Sequence, residues 1–277
     1  MIRAGVMGWP VEHSRSPLLH GFWLKQHGID GAYELLPVPP ESLETALRGL
    51  AAQGFAGCNL TVPHKQAALA VVDHVDATAA RIGAVNTVVV RRDGTLEGRN
   101  TDAFGFRENL RAVQPAWRAS TGPAVVLGAG GAARAVVAAL LDDGAPEIRL
   151  VNRSRDHAAA LAAALGGATM VIDWSRRSAV LGDAALLVNT TSLGMTGQPP
   201  LDLALEALPT TAIVNDIVYA PLATSLLETA RRRGNPVVDG LGMLLHQARP
   251  AFAAWFGVTP EVTPALRRTV EASLVAR

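Results

Sequence analysis

The 277-residue sequence has one cysteine, Cys58, and only two lysines, Lys25 and Lys65. A single cysteine excludes an internal disulfide, so the chain is expected to work in a reducing cytoplasm with Cys58 as a small buried apolar residue. Long hydrophobic runs are also missing. The most apolar stretch, Ala124 to Leu141, is interrupted by Arg134 and by glycines and does not make a bilayer span. Met1 to Pro10 reads as a first strand rather than as the apolar region of a signal peptide. Nor does one sign of charge dominate. A formal net charge of +1 argues against nucleic acid or an anionic membrane as partner. Arg231-Arg232-Arg233, the longest basic run, reads as the solvated end of a helix. The chain has no H-E-x-x-H and no G-x-S-x-G, and His13, His20, His64, His74 and His246 lack paired metal-ligand spacing. Neither a metal site nor a nucleophile elbow is expected.

The scarcity of lysine gives Lys65 its interest. Nearly every basic position is Arg, yet a lysine is kept in Asn59-Leu60-Thr61-Val62-Pro63-His64-Lys65. Arginine stays charged at any accessible pH, whereas lysine can give up and regain a proton, so proton transfer would demand this residue type.

Nearly half of the residues are apolar, enough for a sizeable core, and the length suits two domains. Short apolar runs alternate with segments of helical period, the pattern of an α/β protein. Strands are expected near Arg3–Gly8, Tyr33–Val38, Gly57–Val62 and Val85–Arg91. Helices are expected near Pro17–His27, Pro40–Gln53 and His64–Val72. Asp93-Gly94 marks a hairpin before a short strand at Thr95–Gly98. After a helix over Ala103–Val113 and the loop 114–123, a second domain opens with the strand from Ala124. Its helix covers Arg134–Leu141, and further strands fall at Glu147–Val151, Leu186–Asn189 and Ala212–Asp216. The tail is helical at Met243–Phe256 and Pro264–Val275, and sequence does not decide which domain it packs on.

Gly128-Ala129-Gly130-Gly131-Ala132-Ala133 fits G-x-G-x-x-A between a strand and a helix, the setting of a dinucleotide site. Gly128 would allow the tight turn, Gly130 the approach of a pyrophosphate, and Ala133 close helix–strand packing, with phosphates at the helix N-terminus. Where an NAD site usually places an acid, this chain has Asn152-Arg153-Ser154-Arg155. These arginines favour the 2′-phosphate of NADP, while Asp156 keeps NAD as an alternative.

Four polar clusters fall in the first domain. One is the lysine segment. In His13-Ser14-Arg15-Ser16-Pro17, Ser16 is an expected N-cap and the paired hydroxyls suit a carboxylate. Asn86-Thr87 lies in a strand-like run, and in Asn100-Thr101-Asp102 the acid is either a partner for Lys65 or a plain helix cap. Together they supply a proton donor or acceptor, carboxylate-binding hydroxyls and amides suited to a polyol. Nicotinamide redox chemistry needs one acid/base group beside the cofactor.

This combination resembles the shikimate dehydrogenase family over nearly the whole chain. Besides the segments above, it includes Gly8-Trp9-Pro10, Gly83-Ala84-Val85-Asn86-Thr87 and Asn189-Thr190-Thr191-Ser192-Leu193-Gly194-Met195. It also includes Asp216-Ile217-Val218-Tyr219-Ala220-Pro221 and Gly242-Met243-Leu244-Leu245-His246-Gln247-Ala248. The resemblance implies a mixed-sheet substrate domain, residues 1–103 plus 241–277, and a Rossmann-like NADP-binding domain, residues 104–240, with a cleft between them. It implies that Ser14 and Ser16 bind the substrate carboxylate, and that Asn59, Thr61, Asn86, Asp102 and Gln247 hold ring hydroxyls. Tyr219 closes near the carboxylate, and Lys65 paired with Asp102 is the acid/base. For the cofactor it implies Gly128, Ala129, Gly130, Gly131, Ala132, Asn152, Arg153, Ser154, Arg155, Thr190, Ser192, Ile217, Gly240 and Met243. The implied reaction is reversible NADP-dependent reduction of 3-dehydroshikimate to shikimate, by a monomer or homodimer.

Two positions depart from the usual pattern. Gly21 follows His20 where many members carry an amide, and His157 stands where a second basic residue of the phosphate clamp often lies. The nearest alternative is an NAD-linked quinate/shikimate dehydrogenase, although Ser16, where quinate-preferring members more often carry Thr, leans towards shikimate. A non-catalytic sensor of such ligands is a third reading, and Lys65 with Asp102 argues against it.

Overall fold

The computed structural model describes residues 1–275, so the last two residues of the expected 241–277 segment lie outside the described residues. The chain forms two compact units, Met1–Asp102 together with the chain from Leu245 onward, and Ala103–Leu244. No helix among the described residues is long and apolar enough to cross a membrane.

In the first unit the elements run β1 (Ile2–Gly8), α1 (Ser16–Gln26), β2 (Gly31–Pro37), α2 (Leu43–Arg48), β3 (Phe55–Leu60), β4 (His74–Val75), α3 (Ala77–Ile82), β5 (Thr87–Val90) and β6 (Leu96–Arg99). Its sheet has the order β2-β1-β3-β5-β6-β4. It is mixed. β1 pairs parallel with β2 and β3, whereas β3–β5 and β5–β6 are antiparallel. The β5–β6 hairpin follows from Asp93-Gly94: the Asp93 carboxylate accepts from the Thr95 amide at 3.0 Å, and Gly94 takes φ +85. Met7, Leu47, Phe55, Leu60, Val85, Val88 and Leu96 form the core with Cys58, whose thiol burial pushes up in pKa and leaves unreactive.

The segment expected to be a helix from His64 to Val72 is a run of turns with a short 3-10 stretch at Ala67–Ala70. A tertiary bond wins over local propensity here. The Lys65 carbonyl accepts from the Val85 amide at 2.7 Å, so it is not given to Leu69, the donor an α-helix requires; Leu69 bonds Gln66 instead. The expected helix Pro40–Gln53 is likewise shorter, with a 3-10 turn at Pro40–Ser42 before α2.

Helix α4 (Asp102–Val113) starts on the last residue of the Met1–Asp102 segment and leads into the second unit, which contains β7 (Ala124–Leu127), α5 (Gly131–Asp142), β8 (Ile148–Asn152), α6 (Arg155–Leu165), β9 (Thr169–Asp173), β10 (Leu186–Asn189), β11 (Ile213–Asp216), α7 (Ser225–Arg232) and β12 (Val237–Val238). Its six strands are all parallel in the order β12-β11-β10-β7-β8-β9, so the order reverses between β7 and β10. That is the doubly wound Rossmann arrangement. The chain returns to the first unit within α8 (Leu241–Phe256) and ends in α9 (Pro264–Val275). There the Trp255 indole donates to the Val88 carbonyl at 3.0 Å, and the Trp23 indole to Glu261 at 3.0 Å.

Trp255 sets a tight constraint on β3. Gly57 has φ +152, and a Cβ there would run into the Val88 carbonyl and the Trp255 indole nitrogen. Gly57→Ala is expected to lower stability by about 3 kcal/mol, seen as a lower urea midpoint at unchanged slope. A midpoint equal to the wild type would contradict this packing.

Candidate active site

The strand register of the first unit gathers its polar clusters. Antiparallel pairing sets Asn59 against Thr87 and Thr87 against Arg99. The exit of β3, the entry of β5 and the exit of β6 therefore lie at one end of the sheet, and with them Asn59, Thr61, Lys65, Asn86 and Asp102. The exit of β1, parallel to β3, brings Ser14 and Ser16 to the same end.

Lys65 Nζ donates to Asp102 Oδ2 at 2.5 Å, with side-chain exposures of 18% and 6%. Asp102 is not a plain helix cap. Its backbone amide is capped by Asn100 Oδ1 at 2.9 Å, which leaves its carboxylate for Lys65 and for Asn86 Nδ2 at 2.8 Å. Asn86 also donates to Thr101 Oγ1 at 2.9 Å and to Gln247 Oε1 at 3.3 Å, while its own Oδ1 accepts from the Thr101 amide at 2.8 Å and the Thr87 hydroxyl at 3.0 Å. Asn59 continues the network through Nδ2 to Thr87 Oγ1 at 3.0 Å and the Asn86 carbonyl at 3.1 Å. Almost every hydrogen on these amides is used within the protein, which fixes the orientation of each side chain.

Ser16 corrects one expectation. The N-cap of α1 is Arg15, without a side-chain cap bond, and the Ser16 amide donates instead to Ser14 Oγ at 3.3 Å. The hydroxyl of Tyr33, buried in β2, donates to Asn59 Oδ1 at 2.6 Å. Sequence reading did not single out Tyr33. The available signal was that it is one of only two tyrosines in the chain.

In the second unit the candidate cofactor residues sit at the strand ends flanking the β7/β10 reversal, where open α/β sheets take their ligands. Gly128 has φ +111, and a Cβ there would lie 2.5 Å from Thr190 Oγ1, which itself donates to the Leu127 carbonyl at 2.6 Å. Gly130 caps α5 with no side-chain cap bond, and a Cβ there would meet nothing within 4 Å. The helix N-terminus, with Gly131 and Ala132 in its first turn, therefore leaves room for a phosphate; Ala133 is fully buried against the sheet. At the end of β8, Asn152 donates to the Ser154 carbonyl at 2.9 Å, and Ser154 caps α6 through the His157 amide. Arg153 is exposed, whereas Arg155 is paired with Asp173 at 2.6 Å.

Asn189 and Asp216, both buried, hold the loops that carry the remaining candidate cofactor residues. Asp216 accepts from Asn189 at 3.0 Å, from the Val218 amide at 3.1 Å and from the Thr224 hydroxyl at 2.7 Å. Asn189 accepts in turn from the Thr191 amide at 3.0 Å and donates to the Leu193 carbonyl at 3.1 Å. Thr190, Ser192, Ile217 and the half-buried Tyr219 all lie on these two loops. Gly240 packs directly under the Ile217 carbonyl, where no Cβ fits, and Met243 is buried in the first turn of α8.

Three family models match the chain. A shikimate dehydrogenase substrate-binding domain covers residues 6–88, a shikimate/quinate 5-dehydrogenase domain 112–194, and a shikimate 5′-dehydrogenase C-terminal domain 240–271. The chain belongs to the shikimate dehydrogenase family. Among relatives of this family member, shikimate dehydrogenase (NADP(+)) of Paramagnetospirillum magneticum is 67% identical over 96% of this chain and 97% of its own. Among solved structures, Thermus thermophilus shikimate 5-dehydrogenase in complex with NADP(H) and shikimate is 40% identical, with a TM-score of 0.87 over 99% of this chain and all of that one. Quinate dehydrogenase from Corynebacterium glutamicum in complex with NAD is 32% identical, with a TM-score of 0.90 over 98% of this chain and 99% of that one.

Burial pushes Asp216 from 3.8 up to about 6, against the opposing pull of its Thr224, Val218 and Asn189 hydrogen bonds. The folded state therefore holds this proton more tightly than the unfolded chain. Its contribution to stability is complete below the unfolded value and is lost as pH rises through 6. Asp216→Asn removes the titration and keeps the shape. Relative to wild type, the variant should gain about 1 kcal/mol of stability between about pH 5 and about pH 7.5, measured by urea unfolding. A difference independent of pH would contradict the assignment.

Proposed function

We infer that this protein catalyses the reversible NADP-dependent reduction of 3-dehydroshikimate to shikimate, a step of aromatic amino-acid biosynthesis. It acts in the cytoplasm, as a monomer or homodimer. The observation that carries this reading is the Lys65–Asp102 pair, set at 2.5 Å among buried amides and hydroxyls in a family member. The unit Met1–Asp102 with the chain from Leu245 onward binds the substrate, and Ala103–Leu244 binds the dinucleotide.

Ser14 and Ser16 take the substrate carboxylate. Asn59, Thr61, Asn86, Asp102 and Gln247 hold ring hydroxyls, and Tyr219 closes beside the carboxylate. Bound NADPH supplies the hydride that the ring carbonyl carbon receives. Negative charge grows on the carbonyl oxygen, and Lys65, as an ammonium, stabilises it and then donates the proton that completes the hydroxyl. In the oxidative direction neutral Lys65 takes that proton back. Asp102 keeps the Lys65 nitrogen in one place while Asn86 holds its other oxygen, so the proton donor is oriented before substrate arrives.

The glycine turn at Gly128 to Ala132, with Thr190, Ser192, Ile217, Gly240 and Met243, takes the dinucleotide. Arg153, exposed at the end of β8, pairs with its 2′-phosphate and stacks on the adenine, and Asn152 and Ser154 shape the turn that presents it. Arg155 joins the clamp if it leaves Asp173.

Initial rates of nicotinamide reduction, with shikimate or quinate and NADP or NAD, test this reading. The shikimate–NADP pair should be fastest, and Arg153→Ala should raise the KM for NADP roughly tenfold while leaving that for NAD nearly unchanged. Rates with quinate and NAD equal to or above those with shikimate and NADP would overturn the substrate and cofactor assignment. Equal losses for both cofactors in the variant would remove Arg153 from the clamp.

A further inference from the structure

Lys65 sits in a segment that no regular element positions. β3 ends at Leu60, and residues 62–66 run in turns before the 3-10 stretch from Ala67. A strand or helix would fix the backbone through its own ladder of hydrogen bonds, whereas here individual contacts must do so. The Thr61 amide donates to the Met7 carbonyl at 2.9 Å and the Trp9 amide to the Val62 carbonyl at 3.1 Å, which ties the start of the segment to the exit of β1. At the other end the Lys65 carbonyl accepts from the Val85 amide at 2.7 Å. Between these ties lies His64. Its backbone bonds are local, to the Thr61 carbonyl at 2.9 Å and from the Ala68 amide at 3.0 Å.

The His64 side chain supplies a long-range tie. It is buried, and its Nε2 lies 2.7 Å from the carbonyl of Val38, the residue that follows β2. A carbonyl only accepts, so Nε2 carries the hydrogen and donates it. Val38 is itself held, its amide donating to the carbonyl of Gly8 at the end of β1 at 3.1 Å. The imidazole thus fastens the residue before Lys65 to the exits of two paired strands. Lysine has a flexible four-carbon stem. Asp102 holds its Nζ at 2.5 Å, and the place where the backbone holds the other end decides how the remaining ammonium hydrogens are aimed.

We propose that His64 is a positioning residue for Lys65: its bond to the Val38 carbonyl holds the lysine backbone where the ammonium reaches Asp102 and the substrate carbonyl oxygen together. This rests on the reading of Lys65 as the proton donor. His64 takes no part in the proton transfer itself and acts only through the chain.

Single-turnover rates of shikimate oxidation, with shikimate and NADP affinities, test this in His64→Gln, His64→Asn and His64→Leu beside Lys65→Ala. Thermal midpoints show that each variant is folded at the assay temperature. The amide nitrogen of Gln extends about as far as Nε2, that of Asn stops near the place of Nδ1, and Leu has no donor. Asn and Leu should lower the rate about tenfold with both affinities within about twofold of wild type, and Gln should restore most of the rate. Asn keeps a polar side chain at the buried site, so its comparison with Gln stands even if Leu does not fold. Wild-type rates in Asn, a Gln variant no faster than Asn, or a loss that lies in affinity would overturn the proposal. A wild-type rate in Lys65→Ala would instead reject the lysine as proton donor, and the positioning role with it.

Discussion

The ion pair between Lys65 and Asp102 is the constraint around which the first unit is arranged. Taking an ammonium and a carboxylate largely out of water is costly unless both find good partners. Asp102 meets that demand with Lys65 on one oxygen and Asn86 on the other. Asn86 in turn must be held, and Thr87, Thr101 and Gln247 hold it. Lys65 is fixed through its backbone as well, because its carbonyl belongs to Val85 at the approach to β5. One titratable group thereby dictates an irregular segment after β3, a polar start to β5 and an asparagine cap before α4. Each would be a defect in a purely structural sheet.

The second unit solves a related problem in a similar way. Its loops after β10 and β11 carry many backbone groups without strand partners, and the buried Asn189 and Asp216 satisfy several of them at once. In both units an amide and a carboxylate at strand ends replace the hydrogen bonds that regular structure no longer supplies. The difference lies in the counter-charge. Asp102 bonds a lysine, whereas Asp216 accepts from Asn189, the Val218 amide and Thr224.

Much of this was legible in the sequence because the signals are local. The glycine turn sits between a strand and a helix, Asp93-Gly94 makes its hairpin, and the polar motifs fall at strand ends as their order suggested. Where sequence reading failed, a distant partner had overruled local preference. Residues 64–72 are rich in alanine and favour a helix, but Val85 takes the carbonyl that a helix would need. Ser16 has the chemistry of an N-cap, yet Arg15 takes that position and Ser16 falls in the first turn of α1. Tyr33 was missed because a tyrosine in a strand is unremarkable until its hydroxyl partners are known. Helix α3 is a different case. Its Asp76 N-cap and Gly83 in the left-handed conformation are local signals present in the sequence and passed over.

In the proposed reaction Lys65 transfers the proton and contributes little to holding the substrate. Single-turnover rate and shikimate affinity of Lys65→Ala, measured on the same preparation, test this directly. A rate lowered by about a thousandfold with affinity within a few-fold of wild type is the predicted result. A wild-type rate, or a loss that lies wholly in affinity, would contradict it.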